Sequence, residues 1–235
     1  MNDFQFVLCP GSNPDKSKLE IYNRIYDCWF DVWSKAFSEL NVNKKIYSDA
    51  FSRQDFVGAL LFREEPVAMS LFRYADFKCL NSCTDSYFQN WTSSDIEQLT
   101  SRGSNILVCS YFTVHERVRQ CKVGVSVKDL LVGISIETFK NLAADGMTGA
   151  VRVDRGVNDA CYRWGAYPIK RDVESGLGDK VDLVGFFKDY LAEQPTNIMQ
   201  PLVENLYNNR EVIVKSDYQS ELKLIQPTYF KNRSA

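Results

Sequence analysis

The chain has 235 residues, of which 45% are hydrophobic and 25% charged, and its formal net charge is −2. That balance belongs to an ordinary globular protein long enough to bury a sizeable core, and it excludes an intrinsically disordered chain. A nearly neutral charge gives no field toward nucleic acid or an anionic membrane surface, so no nucleic-acid partner is expected.

Residues 4–9 (FQFVLC) read as a short strand closed by the turn-rich Pro10–Pro14. A long helix is expected from about Lys18 to Leu40. Its apolar positions Tyr22, Ile25, Tyr26, Trp29, Trp33, Ala36, Phe37 and Leu40 recur at steps of three and four. This aromatic stripe fits core packing, with a ligand-lining role as the alternative. Two apolar runs, 56–62 and 66–74, flank the charged Arg63-Glu64-Glu65 and predict an antiparallel hairpin. Ser94 with Glu97 has the spacing of a capping box for a short helix ending near Gly103.

Residues 105–114 (NILVCSYFTV) predict a central strand, and 115–122 (HERVRQCK) a polar, basic loop. Ser126 is placed to cap a helix running to about Asp145, with Gly146 as its terminating glycine. A strand over 148–153, a short helix over 158–164 and a strand over 181–187 complete an α/β domain over residues 1–194. Residues 195–235 read as an extension, with a helix over 197–207 and strands over 211–215 and 222–225. It is too short for its own core but long enough to cover the domain or form an interface, including one in a homodimer.

Seven widely spaced cysteines and one histidine, His115, contain no CxxC pair and no zinc-like spacing, so no metal is expected. The thiols read as reduced and largely structural; Cys79 and Cys83 alone are close enough in sequence to meet across a turn. The N-terminal MNDFQFVLCPGSNPDK has no basic n-region, and no window holds about 18 consecutive apolar residues. The expectation is a cytoplasmic chain with no membrane span.

Chemistry concentrates in the strand–loop–helix from residue 105 onward. Ligands of α/β sheets gather beyond the carboxyl ends of strands, where helix N-termini offer unpaired N–H groups suited to pyrophosphate. The turn here holds Arg117, Arg119, Lys122 and Gly124, while neither a dinucleotide fingerprint nor a P-loop occurs. Arg119-Gln-Cys-Lys122-Val-Gly124 resembles the R/Q-x-x-G-x-G/A pyrophosphate loop of the GNAT superfamily, with Lys122 in place of the first glycine. Asn158…Tyr162…Gly165-Ala166 resembles that family's N…Y…L-G-F segment, with the tyrosine one position closer and alanine replacing the aromatic. The run Arg163-Trp164-Gly165-Ala166, followed by Gly176, Gly178 and 181–187, is similar to the end of acyl-homoserine-lactone and N-acylamino-acid synthases. Strand 105–114 lacks their Trp-Glu-x-Ser-Arg-Phe pattern, so their substrate-reading residues do not carry over.

The resemblance implies a GNAT-type mixed, largely antiparallel sheet flanked by helices, and an N-acyltransferase working by direct attack through a tetrahedral intermediate. It implies acetyl-CoA or a longer acyl-CoA as cosubstrate, or an acyl carrier protein as donor, with a small-molecule or peptide amine as acceptor. Backbone groups at Phe112–Val114 would meet the thioester oxygen; Arg117, Arg119, Lys122, Gly124, Val125 and Ser126 would surround the pyrophosphate, and Asn158 the pantetheine arm. His115 and Glu116 are candidates to take the amine proton, and Tyr162 would protonate the departing thiolate. Each has a plainer reading: a structural or solvated histidine, a surface ion pair for Glu116, sheet packing for Tyr162 and a solvated charged turn. Cys109 or Cys121 as a covalent nucleophile would have only His115 as base. The competing function is a binding or regulatory module that keeps the fold without catalysis, since Lys122 occupies the place of a glycine.

Overall fold

The computed structural model describes residues 3–40, 45–120, 125–194 and 196–216. In chain order these form β1 (Phe4–Pro10), α1 (Leu19–Glu39), α2 (Asp49–Ser52), β2 (Phe56–Phe62), β3 (Glu65–Asp76), α3 (Leu80–Cys83), α4 (Ser93–Leu99), β4 (Asn105–Val114) and α5 (Glu116–Gln120). There follow α6 (Val127–Lys140), β5 (Gly146–Arg152), α7 (Val157–Arg163), β6 (Tyr167–Glu174), β7 (Lys180–Phe186), α8 (Lys188–Ala192), α9 (Gln200–Asn208) and β8 (Glu211–Val212). The described strands make one sheet in the order β6-β7-β5-β4-β3-β2-β1-β8. Pairing is antiparallel except at β4–β5 and β1–β8. This is the mixed, largely antiparallel α/β sheet that the sequence led one to expect.

The period of two along β3 sends Met69, Leu71 and Ala75 to one face and Ala68 and Phe72 to the other. On the first face, Ile25, Cys28 and Trp29 of α1 pack with Met69 and Leu71, so the central part of the aromatic stripe is core. On the second face α6 is buried on most of its circumference, between the sheet, α7 and α9. Gly133 allows this close approach: a Cβ there would lie 2.6 Å from the Trp164 ring and 2.7 Å from Val203. The first residues of the extension thus belong to the same body, with α9 on α6 and β8 extending the sheet beside β1. No described helix is long and apolar enough to cross a membrane.

Several elements differ from the expectation. The capping box is formed by Thr92 and Asp95, two residues earlier than Ser94 and Glu97, because Thr92 keeps the extended backbone that an N-cap needs. Helix α6 stops at Lys140 with Asn141 as its cap, and Gly146 begins β5 rather than ending the helix. Residues 116–120 wind into α5 where a loop was expected. Strand β6 has no counterpart in the sequence reading. It is an edge strand with Pro168, interrupted pairing and mostly exposed side chains, so it lacks the apolar alternation that marks a strand. The 222–225 strand expected in the extension lies outside the described residues.

Candidate active site

The parallel strands β4 and β5 pair only over Ile106–Val108 and Gly146–Thr148. Beyond that they part, β4 running on to Val114 and β5 to Arg152. Within the parted half, β4 carries a bulge. Thr113 pairs with Met69 and Ser110 with Leu71, so Tyr111 and Phe112 both face the single residue Ser70. Tyr111 sits at φ 50°, a conformation that costs a non-glycine residue about 1–3 kcal/mol and persists only when its surroundings hold it.

Those surroundings come from α1. The Tyr111 ring packs edge-on against Trp29 and Trp33, with centroids 5.6 and 5.0 Å away. The Trp33 indole N–H donates to Thr113 Oγ1 at 3.0 Å, and that hydroxyl donates to the Tyr111 carbonyl at 2.6 Å. Of the stripe's aromatic residues, Tyr22, Tyr26, Trp29, Trp33 and Phe37, Trp33 alone borders the cavity described next.

A cavity of about 670 Å³ opens where the strands part. Its walls are the C-terminal half of α1, the end of β4, the start of α6 and the end of β5. Phe112, Val114, His115, Glu116, Val125 and Ser126 all face it. Arg117, Asn158 and Tyr162 are not among its lining residues. The Arg119 side chain, Lys122 and Gly124 lie outside the described residues.

Charged groups around the cavity form two sets, one on each side. Lys35 Nζ reaches Asp31 at 3.2 Å and Glu116 at 3.1 Å. Both partners hold the ammonium charged, with the Glu116 hydrogen bond first, so its pKa lies above the ordinary value. Burial would raise Asp31, but the hydrogen bonds and charges of Lys35 and His115 together bring it below the usual carboxylate value. Across the cavity Arg155 pairs with Glu39 at 2.6 Å, and Lys128 Nζ donates to the carbonyls of Arg155 and Gly156 at 3.1 and 2.8 Å.

His115 is fixed at both ring nitrogens. Nδ1 accepts from the Arg117 backbone N–H at 3.1 Å and from Arg117 Nε at 3.2 Å, which leaves the proton on Nε2, 3.1 Å from Asp31. Burial first, then the Arg117 charge, lower its pKa below the ordinary 6.5. The unfolded chain therefore binds the extra proton first, and stability falls as pH drops below about 6.5 toward the folded value. Because the sequence has one histidine, a single imidazole signal should titrate below pH 6.5 in an NMR pH series, with Nε2 protonated. A midpoint above 6.5 would mean that the Asp31 charge outweighs burial and Arg117.

At the α6 N-terminus Ser126 Oγ accepts from the Asp129 N–H at 3.2 Å and meets the Asp129 carboxylate at 2.5 Å. The Arg163 guanidinium forks onto that carboxylate at 2.8 and 2.9 Å, offsetting a charge that would repel a phosphate approaching the helix end. Tyr162 faces elsewhere: its hydroxyl donates to Asp182 Oδ2 at 2.8 Å, and Asn158 Nδ2 donates to the same oxygen at 3.1 Å. Burial, then the Asp182 hydrogen bond, push the phenol far above its ordinary pKa. Arg117 leans toward Glu65 at the start of β3, 3.9 Å away.

Asp31, Lys35, Glu39, Lys128, Arg152 and Arg155 were missed from the sequence. The first three fall at steps of four along α1 and so share one polar helix face, the one signal that could have revealed them.

No protein-family model matches the chain, and no curated protein matches it. Solved structures do. A CoA-dependent acyl-homoserine lactone synthase, BjaI, with SAM and isopentyl-CoA, superposes with a TM-score of 0.55 at 8% identity, covering 94% of this chain and 99% of that one. FeeM, an N-acyl amino acid synthase from uncultured soil microbes, gives 0.52 at 8% identity over 85% and 97% of the two chains. A second CoA-dependent acyl-homoserine lactone synthase, MesI, gives 0.50 at 11% identity over 89% and 98%. The fold is the GNAT fold. At these identities the likeness concerns architecture, and the GNAT-like chain must be read for chemistry from its own residues.

Proposed function

We propose that this GNAT-fold protein is an acyltransferase that moves an acyl group from a CoA thioester to an amine. The observation that carries this reading is the parting of β4 and β5 at a bulged, α1-braced backbone that opens into a charged cavity beside a helix N-terminus. The similar folds of two CoA-dependent acyl-homoserine lactone synthases and an N-acyl amino acid synthase support it by analogy.

In this reading the thioester lies along the bulge, with its carbonyl oxygen toward the backbone of Phe112–Val114. The amine nitrogen attacks the carbonyl carbon, charge collects on that oxygen, and collapse of the tetrahedral intermediate breaks the C–S bond. Glu116 takes the proton that the amine loses, held in place by Lys35. His115, with both nitrogens engaged, acts as a positioning residue for Asp31. Val125 and Ser126 at the start of α6, with Arg119, Lys122 and Gly124, receive the pyrophosphate. Asn158 and Tyr162 hold the α7 side of the cleft through Asp182. The donor is acetyl-CoA or a longer acyl-CoA, and the acceptor is a small-molecule or peptide amine.

A non-catalytic CoA-binding module is the second reading, favoured by one observation: the phenol expected to protonate the thiolate donates its hydrogen bond to Asp182 instead. Thermal unfolding with free CoA and with acetyl-CoA tests the site. A ligand at about a hundredfold excess over its Kd should stabilise the folded chain by about 2.7 kcal/mol. Amine-dependent release of free CoA thiol then separates the enzyme from the module. No shift with either ligand would remove the CoA site, and a carrier-protein donor would take its place.

A further inference from the structure

An amine of the chain itself already stands beside the group proposed to deprotonate the acceptor. Lys35 Nζ lies 3.1 Å from Glu116 Oε1 and 3.2 Å from Asp31 Oδ2. All three side chains border the large cavity together with Phe112 and Val114 of the bulged strand. The placement is fixed by a nearby contact. Trp33, two residues before Lys35 on α1, bonds through its indole N–H to Thr113, three residues before Glu116. The helix that carries the amine is thereby locked to the backbone proposed to meet the thioester oxygen. The Lys35 side chain is still about half exposed, so its four-carbon stem is free to turn within the cavity.

Among the described residues one other ammonium borders this cavity, that of Lys128. Its Nζ donates to the carbonyls of Arg155 and Gly156 at 3.1 and 2.8 Å. A carbonyl oxygen accepts a hydrogen bond but does not take a proton at neutral pH, whereas a carboxylate can. Arg152 and Arg155 also border the cavity, but a guanidinium keeps its proton and is no nucleophile. A lysine amine becomes nucleophilic when an adjacent base relieves it of its proton. Lys35 is the described amine that meets this condition.

We propose that Lys35 is a self-acylation site, receiving on its own Nζ the acyl group of a bound acyl-CoA. The inference rests on the acyltransferase reading and adds an acceptor within the chain. Glu116 first, and then Asp31, hold Lys35 as the ammonium, so the step begins when Glu116 takes one of its protons. The neutral nitrogen attacks the thioester carbon, the N–C bond forms and the C–S bond breaks. A second proton goes to the departing CoA thiolate, the third stays on the amide nitrogen, and the first passes from Glu116 to water. Because the ammonium is the ordinary form, transfer is slow, and it ends at one acyl group on this nitrogen. The product is a neutral amide with a single N–H, so Asp31 and Glu116 lose the cation they share.

The full chain incubated with acetyl-CoA, its peptides read by mass spectrometry over time, tests this. Lys35 should be acetylated at least about tenfold faster than the exposed Lys45 and Lys180, whose amines react only by collision. Its rate should saturate with acetyl-CoA, fall when free CoA competes, and stay the same when the chain is diluted, as transfer within one molecule requires. In urea the preference should vanish. Lys35→Arg keeps the charge beside both carboxylates but cannot carry the acyl group. It should remove the fast phase, leave Lys45 labelling unchanged and unfold at the wild-type temperature; if it does not fold, the wild-type rates decide alone. Calorimetry with acetyl-CoA separates the two readings. A chain that binds acetyl-CoA but labels Lys35 no faster than Lys45 would overturn self-acylation while the acyltransferase reading stands. So would Lys35 labelling that rises linearly with acetyl-CoA, ignores free CoA or slows on dilution. Failure of both acetyl-CoA and free CoA to bind would overturn both.

Discussion

Glu116→Gln is expected to lower kcat for acyl transfer by about 10²-fold or more and to leave CoA affinity unchanged. Among the described residues three carboxylates face the large cavity: Asp31, Glu39 and Glu116. Glu39 is paired with Arg155 at 2.6 Å, and Asp31 is shared between Lys35 and the His115 Nε2–H. Glu116 meets Lys35 alone among the contacts described, at the mouth of the strand that carries the bulge. Its side chain is 56% exposed, so the pair contributes little to stability, and the isosteric amide should unfold at the wild-type temperature. What glutamine cannot do is accept a proton. The change should therefore appear in thiol-release kinetics and not in calorimetry with CoA. An unchanged kcat would move the base to Asp31. Asp31→Asn would then be the informative variant, since it would disturb both turnover and the His115 titration.

Much of the fold was legible because burial writes itself into spacing. The α1 stripe repeats at steps of three and four, and β2, β3 and β4 are short continuous apolar runs bounded by charged or turn residues. Strand β6 was not legible, since an edge protected by proline, charge and irregular pairing has the composition of a loop. The site was partly legible. His115, Glu116 and Ser126 could be found because they flank a strand end and a helix start. Asp31, Lys35 and Arg155 come to the same cavity from segments far apart in the chain, and no local pattern states that α1 lies over the end of β4. Tyr162 shows the converse. Its place in a motif was readable, but the direction of its hydroxyl depends on Asp182, twenty residues away on β7.

That dependence sets the largest stability effect. Asp182→Ala is expected to cost at least about 3 kcal/mol in denaturant unfolding. The carboxylate is 3% exposed and accepts from Tyr162 Oη at 2.8 Å, Asn158 Nδ2 at 3.1 Å and the Asp172 N–H at 2.9 Å. Alanine leaves three donors without an acceptor, each costing about 1–3 kcal/mol where water cannot replace it. Asp172 also sits at φ 54°, so its N–H loses the partner that helps hold a strained residue in β6. Burial would raise Asp182, but these hydrogen bonds and the Arg171 charge bring it below the ordinary 3.8. The sign follows: its contribution is present above about pH 3.8 and is lost as pH falls through the lower folded value. Tyr162→Phe separates structure from catalysis. If the phenol only ties α7 to β7, the variant should lose about 1 kcal/mol and keep its turnover and pH profile. If the same variant keeps its stability and loses turnover tenfold or more, Tyr162 is a proton donor after all, and its bond to Asp182 is the resting arrangement of a catalytic group.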